Sequence, residues 1–153
     1  MLGGEAMRYY AMESIGKVEL LTLPKNTEII ATAKQSQFDE VDYDAQRELI
    51  SDRLKQLMVI YLPKYEFTPV VIINNEKEEQ TEYWKFKPSL LEEYQAQYRN
   101  DGIVSHISFP DEHIPPAFTV RSPKRIDTIA VEMAIAESAL RRNILGLKFT
   151  KIL

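Results

Sequence analysis

Ten residues near the end of the chain, Leu140 to Phe149 (LRRNILGLKF), change their period: apolar side chains recur at helical spacing up to Ile144 and alternate from Leu147 onward. A 3.6-residue repeat belongs to a helix buried by one face, and a two-residue repeat to a strand buried by one face. A fold that ends this way must combine helix with sheet. Gly146 stands at the switch, where a residue past a helix end is expected in the left-handed conformation, and Arg141 and Arg142 precede it, where cations complement the helix dipole. Upstream, Ile126, Ile129, Ala130, Met133 and Leu140 keep the helical spacing, which predicts one long helix over Asp127 to Asn143 and a docked strand over Leu147 to Ile152.

The same arguments organise the rest of the chain. Lys17 to Leu23 and Glu28 to Thr32 read as two short strands. Asp42 or Asp44 offers an N-cap for a long central helix over Ala45 to Ile60, in which Ala45, Leu49, Ile50, Leu54, Leu57 and Met58 share a face. Pro63 stops that helix. Phe67 to Ile73 is β-branched enough for a buried strand, and Thr81 to Lys87 alternates, with Trp84 and Phe86 on one face and Tyr83, Lys85 and Lys87 on the other, which predicts an antiparallel hairpin. Leu90 to Tyr94 reads as a short helix, Asp101-Gly102 as a turn into a strand at Ile103 to Phe109, and Ala117 to Arg121 as a further strand. The expected class is α+β: a mostly antiparallel sheet with one long central helix and one long C-terminal helix followed by a terminal strand. With 153 residues, a chain this size forms one sizeable core, and a single domain over 7–153 is expected, with Met7 as an alternative start and residues 1–6 outside it.

Composition excludes several functions. The chain has no cysteine, which removes disulfides, thiolate metal sites and a cysteine nucleophile, and points to a cytoplasmic setting. Its apolar runs, such as Val70-Val71-Ile72-Ile73, fall far short of the roughly 20 residues that span a bilayer, and the opening residues lack the form of a secretory signal. No membrane association is expected. Of 19 basic and 23 acidic residues, seven and three respectively fall from Arg121 onward, so the first 120 residues hold 12 against 20, a net −8. An acidic body argues against nucleic-acid binding and for a basic protein partner.

The acids cluster twice. Phe38-Asp39-Glu40-Val41-Asp42-Tyr43-Asp44 combines four carboxylates with two aromatics and no base, a composition suited to meeting a basic patch, although the plainer reading is a helix start whose acids favour the dipole. Glu76, Glu78 and Glu79 fall on the predicted hairpin loop, as a solubility device or as a second part of an acidic face. The candidate partner-binding residues are therefore Asp39, Glu40, Asp42, Asp44, Glu76, Glu78 and Glu79. His106 and His113, with Asp111 and Glu112 between them, form the one cluster suited to metal or acid–base work, but a seven-residue spacing across Pro110 matches no helical ligand pair and a polar loop is the better reading. Neither a nucleophile elbow nor a phosphate-binding glycine loop is present. No catalytic group, metal or cofactor is expected.

The segment Ala130 to Ile152, AVEMAIAESALRRNILGLKFTKI, resembles the closing part of a family of bacterial immunity proteins encoded beside polymorphic toxins, whose members end in an amphipathic helix, a glycine and a G-x-x-F strand, here Gly146-Leu147-Lys148-Phe149. The opening Arg8-Tyr9-Tyr10-Ala11-Met12 is similar to that family's start. The resemblance covers about a sixth of the chain and is a fold signature without catalytic residues. It implies a non-enzymatic inhibitor that binds and neutralises a cognate toxin domain in the cytoplasm of the producing cell. A small cytoplasmic enzyme using His106 to His113, or a regulatory subunit of a larger assembly, are the alternatives.

Overall fold

The computed structural model describes residues 8–18, 30–32, 41–74, 78–110, 114–123 and 126–153. In chain order these form β1 (Tyr9–Ser14), β2 (Ile30–Thr32), β3 (Tyr43–Asp44), β4 (Leu49–Ser51), α1 (Asp52–Tyr61), β5 (Thr68–Asn74), β6 (Glu79–Lys85), β7 (Gln95–Tyr98), β8 (Val104–Ser108), β9 (Ala117–Val120), β10 (Thr128–Glu132), α2 (Met133–Arg141) and β11 (Leu147–Lys151). The class is α+β. A four-stranded antiparallel sheet has the order β11-β1-β10-β9, a five-stranded sheet the order β2-β5-β6-β4-β3, and β7-β8 is a separate hairpin. Only β2 and β5 run parallel among these pairs.

Burial explains the layering. Strands β9 and β10 are buried on both faces because both faces of the four-stranded sheet are covered. Met12, Ala117, Ile129, Val131 and Leu147 meet Leu54, Leu57 and Met58 of α1, Ile135 and Ala139 of α2, Ile50 of the five-stranded sheet and Phe86 just after β6. On the opposite face Tyr9, Ala11, Phe118, Val120 and Ala130 pack against Val104 and Ile107 of the β7-β8 hairpin. Tyr9, Phe109 and Phe118 make edge-to-face contacts there, with ring centroids 5.1 to 5.8 Å apart. The outer face of the five-stranded sheet buries Leu49, Val70, Ile72 and Tyr83 beneath Val18 and Val41. No helix among the described residues is long and apolar enough to cross a membrane.

The hairpin of β5 and β6 follows the predicted alternation, with Phe86 buried and Trp84 half-buried on the common core. Tyr83 is not turned to solvent, because Val18 and Val41 cover the second face of the sheet. The terminal strand pairs with β1 along its length, from Ser14–Leu147 to Tyr10–Lys151. Both helices, however, are short. The central helix begins at Asp52, not Ala45, since Leu49 and Ile50 pair with Lys85 and Trp84 as part of β4. Ser51 caps it, accepting from the Leu54 amide at 3.2 Å. The second helix begins at Met133, because Thr128 to Glu132 is the strand between β1 and β9. No helix forms at Leu90 to Tyr94; the Leu91 amide donates to Thr119 and the Thr119 amide to Ser89, so this segment runs extended beside β9. The end of α2 is set by Asn143, which adopts φ 58°, with the Asn143 amide bonded to Leu140 and the Ile144 amide to Ala139. That is the Schellman arrangement, and Asn143 occupies the left-handed position expected of Gly146.

Candidate partner-binding surface

The acids predicted to face a partner divide in three ways. Asp39, Glu40 and Glu76 lie outside the described residues. Glu78 sits on an exposed turn with φ 51°, and Glu79 opens β6 with its side chain outside the description. Asp42 and Asp44 are 0% and 2% exposed, so neither presents its carboxylate to a partner. This corrects the acidic face at its best-defined positions.

Both buried acids organise the chain instead. Asp44 does not cap a helix; its Oδ1 accepts from the Gln46 and Arg47 amides at 3.1 and 3.3 Å, folding residues 45–48 into a turn closed by left-handed Glu48 (φ 59°). Its Oδ2 accepts from the Val18 amide at 2.9 Å, which draws the segment after β1 over the sheet. Asp42 accepts from Ser51 Oγ at 2.6 Å, from Nε and Nη2 of Arg53 at 2.7 Å each, and from the Gly146 amide at 2.7 Å. Its own amide donates to the Gly146 carbonyl at 3.0 Å. Burial alone would raise this carboxyl, but the hydrogen bonds from Arg53, Ser51 and Gly146 outweigh it and hold the group below the usual carboxylate range. The charge thus locks the start of α1 to the turn after α2.

The other polar clusters are likewise internally engaged. A groove of about 320 Å³ between β1 and the β7-β8 turn is lined by Glu13, Lys17, Gln46, Arg99, Asp101 and Asp127. Arg99 bridges Glu13 at 3.1 Å and Asp101 at 2.6 Å, and Glu13 also accepts from Thr150. Paired charges brace β1 against the β7-β8 turn, and the Thr150 hydroxyl ties in β11. His106 is exposed on β8, whereas Asp111, Glu112 and His113 lie outside the described residues, so their cluster is not assembled here. Among the described residues no group of three or more metal-ligating side chains occurs. Glu132 is the titratable group that the sequence did not reveal: burial raises its carboxyl, and its charge helps raise the Tyr9 and Tyr65 phenols, for which burial is the larger cause.

An apolar surface remains. Among the described residues eight large apolar side chains are exposed, and five of them, Val59, Ile60, Tyr61, Leu140 and Leu145, lie on α1, on α2 and on the turn after it. Leu54, Leu57 and Met58 consume the inner face of α1, which turns Val59 and Ile60 outward; Ile135, Ala136 and Ala139 do the same for Leu140 of α2. A hydrogen bond of 2.6 Å between Tyr61 OH and Ser138 Oγ joins the end of α1 to the middle of α2. Leu145 is held out differently. Its neighbours Ile144 and Leu147 are buried and Gly146 is bound to Asp42, so Leu145 is 58% exposed on a fixed turn. Ile60 and Leu140 are 65% and 54% exposed, which leaves apolar area available for burial against a partner.

The comparisons with known proteins add no assignment: no protein-family model, no curated protein and no solved structure matches the chain.

Proposed function

We propose that this chain is a non-enzymatic inhibitor that binds a cognate protein toxin domain and neutralises it in the cytoplasm of the producing bacterium. The observation that carries the proposal is the display of Ile60, Leu140 and Leu145 on two short helices and a turn that internal bonds fix in place. A backbone held in place by internal bonds loses little freedom on association, which favours high affinity in an inhibitor of modest size. The likeness of Ala130 to Ile152 to the closing part of immunity proteins supports the same reading from the sequence, and Leu140 and Leu145 lie within that segment.

Calorimetric titration of the full chain into the toxin domain encoded beside it tests the proposal. A 1:1 complex with a dissociation constant on the order of nanomolar is expected of a specific standard-sized interface. Absence of heat together with absence of co-elution from a sizing column would remove it.

A further inference from the structure

The expectation from composition is an acidic face that meets a basic partner, but the exposed Leu140 and Leu145 lie in a basic stretch of the chain. From Met133 to Leu153 the chain carries Arg141, Arg142, Lys148 and Lys151 against Glu137 alone. Leu140 is followed directly by Arg141 and Arg142, and Leu145 comes three residues after Arg142. Arg141 contacts Glu137 at 3.4 Å, yet the two side chains are 75% and 49% exposed, so water screens that pair and the guanidinium can exchange its partner at small cost. We propose, resting on the inhibitor reading above, that the surface of Leu140, Arg141, Arg142 and Leu145 docks an apolar pocket rimmed by carboxylates on the toxin domain.

Charge and geometry select this occupant over two others. A second copy of the chain using the same patch would form a two-fold interface, which brings two patches of the same positive charge together. An anionic membrane would draw on a continuous amphipathic helix, but α2 has nine residues and its apolar face is already spent on the core through Ile135, Ala136 and Ala139. Rigid apolar points beside planar guanidinium groups suit a protein pocket, where arginine forms bidentate pairs with carboxylates. The position of Leu145 is fixed by the Gly146 bonds to Asp42, so the pocket meets a preformed shape.

The test is stopped-flow association of the full chain with the toxin domain encoded beside it, at several salt concentrations, for the wild type, for R141E/R142E and for L140A/L145A. Both double variants change exposed side chains, and their thermal midpoints are measured alongside. With folding intact, the charge reversal should slow association about tenfold or more and abolish its decline with salt, while the apolar truncation should speed dissociation about tenfold or more. A wild type that binds while both variants bind equally well overturns this inference and leaves the inhibitor reading standing. A wild type that does not bind overturns the inhibitor reading itself. Loss of a wild-type dimer in the variants, or wild-type binding to phosphatidylserine vesicles with equal toxin binding by all proteins, assigns the patch to another occupant and also overturns the inference.

Discussion

Replacing Asp42 by alanine removes the carboxylate that ties β3, α1 and the turn before β11 together, and the size of the loss can be worked from its partners. The Gly146 amide is left as a buried donor, which costs about 1–3 kcal/mol. Arg53 also loses its two bonds, but its side chain is 49% exposed, so it returns to water and the full penalty of about 3–5 kcal/mol for breaking a buried pair does not apply. Ser51 Oγ keeps its bond to the Leu54 amide and continues to cap α1. The expected loss is therefore about 3 kcal/mol, between the orphaned amide alone and a fully buried broken pair. Urea unfolding should show it as a lower midpoint with an unchanged slope. The loss must also depend on pH with a defined sign. The folded carboxyl lies below its ordinary value, so the unfolded chain binds the proton more readily, and the stabilisation is present above about pH 4 and is lost as pH falls through the folded pKa. The difference between wild type and Asp42→Ala should shrink correspondingly below pH 4. A loss under about 0.5 kcal/mol, the range of ordinary surface substitutions, or one that is the same at pH 7 and pH 2.5, refutes the role given to this charge.

Two further substitutions test the end of α2 and the half-buried Glu132. Asn143→Ala should destabilise by about 1 kcal/mol, because alanine lacks the short polar side chain whose local hydrogen bonding lets asparagine adopt the left-handed backbone, whereas Asn143→Gly, with no β-carbon, should be neutral or stabilising in the same urea experiment; equal effects would mean that Asn143 does not end α2. Glu132→Gln should raise the melting temperature at pH 7 and give no gain at pH 3.5, since a carboxyl whose folded pKa is raised contributes stability below the unfolded pKa and loses it as pH climbs through the folded one. An equal gain at both pH values would show that burial of the charge is not the cause.

The sequence revealed those strands whose two faces differ or whose ends are marked. The β5-β6 hairpin was legible from its β-branched run and from the alternation about Trp84, and β11 from its own alternation. The helix starts were not. Leu49-Ile50 and Ile129-Ala130-Val131 are buried on both faces of covered sheets, and a continuous apolar run abutting a real helix extends the helical spacing backward without any break. Asp44 carried a genuine capping signal, but the same side chain that caps a helix also closes a turn, and Glu48 in the left-handed region decides for the turn. Gly146 and Asn143 are three residues apart and both residue types tolerate that region, so composition alone could not choose between them. At the candidate surface, charge density in sequence gave no information about burial. Asp42 is spent on Ser51, Arg53 and Gly146, partners that no local pattern connects. The helical spacing places Leu140 on the apolar face of α2, but a periodicity marks a face and cannot show which of its side chains the packing leaves outside.

The most direct test of the account is titration of the toxin domain's own activity with the full chain. The account predicts linear loss of activity that is complete at one chain per toxin domain. Full toxin activity at a saturating excess of the wild-type chain would contradict it.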